Sequence, residues 1–303
     1  MKASGTNTSK DYMKNNVSLG ISLMILAIFL LSIMDGISKY LSQHYSVIAI
    51  NMFRYWFFGA LLIFLSFSPK EKKIKLPETK YKYIQILRGT ILAIEMCFAH
   101  YCFLKIGLIE AHAIFASGPL IVAIFSLIIL NEKFGWRRWL AIIVGFIGIL
   151  IILRPGLKVF DPISLIAVGC AIAFSLYQVL TRYVSDQDDS NTSFFYTGVT
   201  GLIVLTLIGP FFLTEIVFKD IFFIIAVCCL GAAGHYLMIK SFQNAEASIL
   251  QPFIYLHLVF VSFIGIFIFD ENIDSYILIG SIIVIGAGLY TFWRERIVEE
   301  KIR

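Results

Sequence analysis

Residues 19–41 read LGISLMILAIFLLSIMDGISKYL, an apolar run broken only by Asp35 and Lys39 near its far end. A helix needs ~20 mostly apolar residues to cross a hydrocarbon core of ~30 Å, and this run is long enough. It is too long for the apolar stretch of a typical signal peptide and has no small-residue cleavage site after it, so it reads as a retained first helix. The same signal recurs along the chain. Continuous apolar runs predict further spans at 47–68, 84–104, 108–130, 136–153, 162–182, 194–213, 221–242, 246–269 and 276–293. None alternates with the period of two that a half-buried strand requires. The expected fold is an all-α integral membrane bundle of ten helices, with polar tails at 1–18 and 294–303.

Composition agrees with this reading. Hydrophobic residues make up 59% of the 303 and charged residues 15%, against ~25% charged in soluble domains. The net charge of +5 does not point to nucleic acid, because the basic residues sit between apolar runs. The loop at 69–83 carries Lys70, Lys72, Lys73, Lys75, Lys80 and Lys82. It falls on the same side as both tails, which the positive-inside rule places in the cytoplasm, in a chain of the cytoplasmic (inner) membrane. Cys97, Cys102, Cys170, Cys228 and Cys229 lie in apolar runs, without zinc or disulfide spacing, and read as packing residues.

The chain repeats internally. Glu110-Ala111 opens a span ending at Asn131-Glu132, and Glu246-Ala247 opens one ending at Asp270-Glu271. Each is followed by a glycine-bearing helix, with Gly145 and Gly148 in one and Gly280, Gly286 and Gly288 in the other. Asp35-x-x-x-Lys39 corresponds to Gln178-x-x-x-Arg182. Repeats at 19–153 and 162–293 each hold five helices, an odd number, so the copies insert with opposite orientation. Inverted repeats are a mark of secondary transporters, whose halves exchange conformations around one central site.

Polar groups in the spans are the candidate functional residues, since each costs ~2.5–3.5 kcal/mol at a helix centre unless it faces protein, water or solute. Glu95 lies eleven residues into the third helix, ~16 Å deep at 1.5 Å per residue, near the midplane. It is a carboxylate for a cationic group or a proton, or else an interhelical hydrogen-bonding group. His235, Tyr236, Gln251, Tyr255 and His257 come from the eighth and ninth helices, where Pro252 is expected to loosen the backbone and free carbonyls. Tyr177 and Gln178 join them by repeat symmetry. Asp35 and Arg54, at similar depth on adjacent helices, are expected to form a structural or gating ion pair. Arg88, one turn from the boundary, is expected to snorkel or cap. His112 is shallow, and the five histidines show no ligand spacing, so no metal and no cofactor are expected. Trp136, Trp139 and Trp293 beside arginines read as interfacial anchors.

The order of these features resembles the drug/metabolite transporter superfamily, in particular its EamA-type ten-helix members. The resemblance rests on Asp35, Lys39 and Arg54; Arg88-Gly89; Glu110-Ala111 through Pro119 to Glu132; Arg154-Pro155; Pro252-Phe253-Ile254-Tyr255; and Gly288-Leu289-Tyr290 before Arg294-Glu295. Leu258 stands where some members carry a proline. The resemblance implies transport of a small organic solute through a cavity lined mainly by helices 1, 3, 4, 6, 8 and 9.

Other classes lack their signatures. There is no H-E-x-x-H, G-x-S-x-G or P-loop, which argues against an intramembrane enzyme and against ATP-driven transport. A channel would usually need an oligomeric pore. The expected activity is alternating-access transport driven by a coupling proton or an exchanged solute, by a monomer or homodimer in the lipid bilayer. Glu95 and the aromatic content favour a cationic or zwitterionic metabolite such as an amino-acid derivative. A vitamin or nucleotide-like solute of flavin type is the alternative.

Overall fold

The computed structural model describes residues 17–68, 73–74, 77–130, 136–153, 162–245 and 247–302. Glu132, Arg154, Pro155 and Glu246 lie outside them, as do the side chains of Trp293 and Arg294. The chain is helical: α1 (Val17–Ser42), α2 (Val47–Ser66), α3 (Lys82–Lys105), α4 (Leu108–Phe115), α5 (Gly118–Ile129), α6 (Trp136–Leu153), α7 (Pro162–Val184), α8 (Ser190–Ile208), α9 (Ile221–Asn244), α10 (Ala247–Phe269) and α11 (Ser275–Ile302). Against the expectation of helix alone, a two-residue hairpin pairs Phe67–Ser68 with Lys73–Ile74.

Among the described residues, eight helical stretches are long and apolar enough to cross a membrane, counting α4 and α5 as one; α6 and α11 contribute shorter apolar helices, Trp139–Ile152 and Ser275–Ala287. Their outer faces are apolar. Phe64, Leu207, Phe211, Phe222 and Phe267 are all largely exposed, as side chains in contact with lipid are and as side chains in water would not be.

Local chemistry sets the helix ends. Asp189 caps α8 by accepting the Thr192 N–H at 2.7 Å, and Asp274 accepts the Tyr276 and Ile277 N–H groups at 2.8 and 3.1 Å at the start of α11. The expected single helix at 108–130 is instead broken between α4 and α5. Pro119, in the first turn of α5, has no N–H to carry the ladder across, and the Ser117 N–H turns to the Ile114 carbonyl. The break expected at Pro252 does not occur. Pro252 sits six residues into α10, which runs through it unbroken.

The packing crosses between the two halves of the chain. α1 packs on α9 and α10, α3 on α7 and α8, α2 on α8, α4 on α10, and α6 on α11. The α6–α11 contact is close because both helices present glycine. A Cβ added at Gly280 would stand 2.6 Å from the Gly148 carbonyl oxygen, and one at Gly148 would stand 2.9 Å from that of Gly280.

Candidate functional site

Between these helices lies a cavity of about 90 Å³, walled by α1, α3, α4, α7, α9 and α10 with Gly118 of α5. A single water needs ~10–15 Å³ on this measure, so the space holds several waters or the head of a small solute. A whole metabolite would need the helices to part.

Five of the eight candidate binding residues line it: Glu95, Gln178, His235, Tyr255 and His257. Glu95 is 7% exposed and, among the described residues, its carboxylate has no hydrogen-bond or ion-pair partner. Only its backbone oxygen is engaged, by the Cys170 thiol at 3.9 Å. Both ring nitrogens of His235 and the Tyr255 hydroxyl are likewise buried without a partner. Gln251 reaches the cavity wall indirectly, donating from Nε2 to Gln178 Oε1 at 3.0 Å. The remaining two point elsewhere. Tyr177 stacks on Phe174 and lies under the Arg88 guanidinium, and Tyr236 packs on Phe194 and donates to Asn191. Aromatic side chains of Phe103, Phe115 and Phe174 complete the walls.

The expected Asp35–Arg54 ion pair is not formed. Arg54 donates to Asn51 Oδ1 at 2.8 Å and to the Met34 thioether at 2.9 Å. Asp35 instead meets three histidines. His257 Nε2 lies 3.0 Å and His112 Nε2 3.2 Å from Oδ2, while His100 Nε2 lies 3.9 Å from Oδ1. His257 comes close to Oδ2 but off the line of a hydrogen bond. Depth along each helix placed Asp35 and Arg54 level but could not tell which way round the helices they face. No sequence spacing groups these histidines, because they sit on α3, α4 and α10, far apart in the chain. His112, read as shallow, is 4% exposed and lines the cavity.

Arg88 does not snorkel. It is fully buried, donating to Gln85 Oε1 at 2.6 Å, to the Thr181 hydroxyl at 3.0 Å and to the Ser193 carbonyl. Gln85 in turn donates to Asp188 at 2.7 Å, which also accepts from Thr79. This network ties α3, α7 and α8 at one end of the bundle.

A second network closes the other end. The Asp270 backbone takes φ 52° and the Glu271 N–H returns to the Gly265 carbonyl at 3.0 Å, turning the chain back over the end of α10. The Glu271 carboxylate then accepts the Leu108 and Ile109 N–H groups, both at 2.8 Å, and pairs with Lys39. A carboxylate is favoured there because it meets the unpaired N–H groups and positive dipole end of α4. Gly107 makes the approach: its backbone, at φ 90°, is in the left-handed region that favours glycine, and a Cβ added there would stand 3.2 Å from the Glu271 carboxylate. Nearby, Tyr45 donates to Asp220 at 2.8 Å and accepts the Val217 N–H at 3.1 Å.

The sequence model of the EamA-like transporter family matches this chain twice, over residues 18–154 and 162–293. An S-adenosylmethionine uptake transporter of Rickettsia bellii is 30% identical over 284 residues, covering 92% of this chain and 95% of its own. A riboflavin transporter of Vibrio cholerae is 29% identical over 194 residues, covering 61% of this chain and 62% of its own. A solved crystal structure superposes with a TM-score of 0.65 at 15% identity, over 93% of this chain and 99% of that one, a likeness of fold. The helical bundle, the doubled family match and the named relatives agree: the chain belongs to the EamA-like transporter family of the drug/metabolite superfamily, an integral-membrane transporter of small metabolites and not an enzyme.

Proposed function

We propose that this transporter carries a small metabolite with a positive charge beside a zwitterionic head, of the S-adenosylmethionine kind, by alternating access through the central cavity. The observation that carries the reading is Glu95, a buried carboxylate on the cavity wall with no described partner of its own. A fixed positive charge on the solute, such as a sulfonium, is the complement such a group lacks. The Phe103, Phe115 and Phe174 rings add faces on which a cation can rest. Gln178, His235 and Tyr255 supply hydrogen-bonding atoms for the zwitterion. The uptake transporter of Rickettsia bellii, matched along nearly the whole chain, supports the same class of solute.

Ten spans form two five-helix repeats, at 19–153 and 162–293, inserted with opposite orientation and with α6 and α11 as the fifth and tenth. The packing supports this. If the first and sixth helices are equivalent, and likewise the third and eighth, then α1 on α9 is the partner contact of α7 on α3, and both are present. The α2–α8, α4–α10 and α6–α11 contacts each relate a helix to its own counterpart. The doubled family match runs along the same two segments. The polar networks at Arg88–Asp188 and Lys39–Glu271, one at each end of the bundle, are placed to open alternately. A proton or exchanged solute drives the cycle. Both termini face the cytoplasm.

Binding to purified protein tests the solute class. S-adenosylmethionine should raise the thermal unfolding midpoint of the wild type, and Glu95→Gln should weaken its binding roughly 10- to 150-fold, the scale of a charge-assisted hydrogen bond. Riboflavin, which carries no fixed cation, should be indifferent to Glu95→Gln. Tight riboflavin binding with no response to S-adenosylmethionine would favour the flavin-type solute instead.

A further inference from the structure

The geometry points to a transition-metal site of the zinc class formed by Asp35, His112 and His257, opening onto the transport cavity. The three side chains come from α1, α4 and α10, and their ligating atoms all lie within 4.8 Å of one another. Asp35 and His112 are buried, and all three line the cavity.

Ring chemistry decides what this cluster wants. His112 Nδ1 lies 2.9 Å from the Leu108 carbonyl oxygen, one turn back in its own helix. A carbonyl only accepts, so Nδ1 carries the hydrogen, and in the neutral imidazole Nε2 is a bare lone pair. That Nε2 faces Asp35 Oδ2, a second acceptor, at 3.2 Å. His257 Nε2 stands 3.0 Å from the same oxygen with no hydrogen bond aligned to it. With the His257 hydrogen on Nδ1, three electron-pair donors crowd one point.

One cation between them satisfies all three. A tetrahedral ion with bonds of ~2.0–2.1 Å holds its ligands about 3.3 Å apart, close to both separations seen here. A single proton between His112 and Asp35 would leave His257 unpaired against Oδ2, so the metal accounts for more of the arrangement. The surroundings hold the ligands as outer partners of metal-binding groups do. The Leu108 carbonyl fixes the His112 tautomer. Arg54 donates to Asn51 Oδ1, which turns the Asn51 amide nitrogen to donate to His100 Nδ1 at 3.0 Å. The His100 hydrogen then sits on Nε2, 3.9 Å from Asp35 Oδ1, leaving Oδ2 for the ion.

The charged and titratable groups around the cluster are Arg54 from α2, Glu95 and His100 from α3 and His235 from α9, while Lys39 on α1 is taken by Glu271. Three protein ligands leave the fourth position to the cavity. There the ion would take a water or, on the transport reading, an amino or carboxylate group of the solute. Metal binding itself does not depend on that reading.

The test is titration of Co²⁺, a visible-absorbing stand-in for Zn²⁺, into purified chelator-stripped protein. The wild type should take up one equivalent, with the intense visible bands of a tetrahedral site, and release it to Zn²⁺. Asp35→Asn, His112→Gln and His257→Gln should each weaken uptake at least tenfold, while His44→Gln, at an exposed histidine, should not. Should the variants fail to fold, X-ray absorption on the Zn²⁺-loaded wild type must still show four nitrogen and oxygen neighbours, including two imidazoles. No uptake by the wild type, an octahedral spectrum, or uptake that survives all three substitutions would overturn the site and leave a shared proton as the bridging cation. A protein that bound Co²⁺ as described but carried no solute would sink the transport reading and spare this one.

Discussion

At Glu271 one carboxylate joins three elements, accepting two N–H groups of α4 and pairing with Lys39 of α1. Glu271→Ala would leave both N–H groups and a buried ammonium without this partner. It should cost about 1.5–3 kcal/mol, the scale of hydrogen bonds to a charged group. Glu271→Gln, which keeps an acceptor oxygen, should recover part of that, and thermal unfolding in detergent measures both. Loss of no stability in Glu271→Ala would remove the network from the account. The sequence marked Glu271 as the end of a repeat unit but not as a helix cap, because its partners lie some 160 residues earlier and in α1. Glu95 was legible for the opposite reason. Depth in a membrane scales with position along a helix, so counting residues was enough to find it. The rotation of each helix about its axis was not countable, and there the reading erred: Asp35 turned to the histidines, and Arg54 to Asn51 and Met34.

Among the elements, α4 and α10 show how much a proline says by its position. Pro119 in the first turn of α5 ends one helix and begins another, whereas Pro252 is carried within α10. Proline restrictions are local, but whether a helix continues past one depends on the packing around it. The glycines of α6 and α11 are legible in the sequence as a repeat and acquire their physical reason only in contact. Gly148 and Gly280 let α6 and α11 touch backbone to backbone. Gly280→Ala puts a Cβ 2.6 Å from a carbonyl that cannot move alone, so the two helices must separate. We expect a loss of about 1–3 kcal/mol, as for overpacking in a tight core, read again as thermal stability. An unchanged unfolding midpoint would mean that this contact is looser than described.

For the whole molecule, the apolar pattern was enough to read a membrane bundle. The cavity between the halves was not readable as a shape, because six helices contribute to it and no local pattern records which of their faces meet. The proposed orientation rests on the lysines of the 69–83 loop, and accessibility can check it. In a cysteine-free background, His44→Cys and Ser275→Cys, both at exposed positions, should react with an impermeant thiol reagent applied from outside. Glu78→Cys, also exposed, should not, and its labelling in intact cells would invert the topology.

The central claim is that the halves exchange conformations around a cation-binding cavity, and counterflow in proteoliposomes tests it most directly. Vesicles loaded with unlabelled S-adenosylmethionine should draw in external labelled S-adenosylmethionine transiently against its total gradient, faster than empty vesicles do. Glu95→Gln should abolish that overshoot at the same substrate concentration while inserting normally. A flux that is indifferent to internal solute, or an overshoot that persists unchanged in Glu95→Gln, would contradict the account.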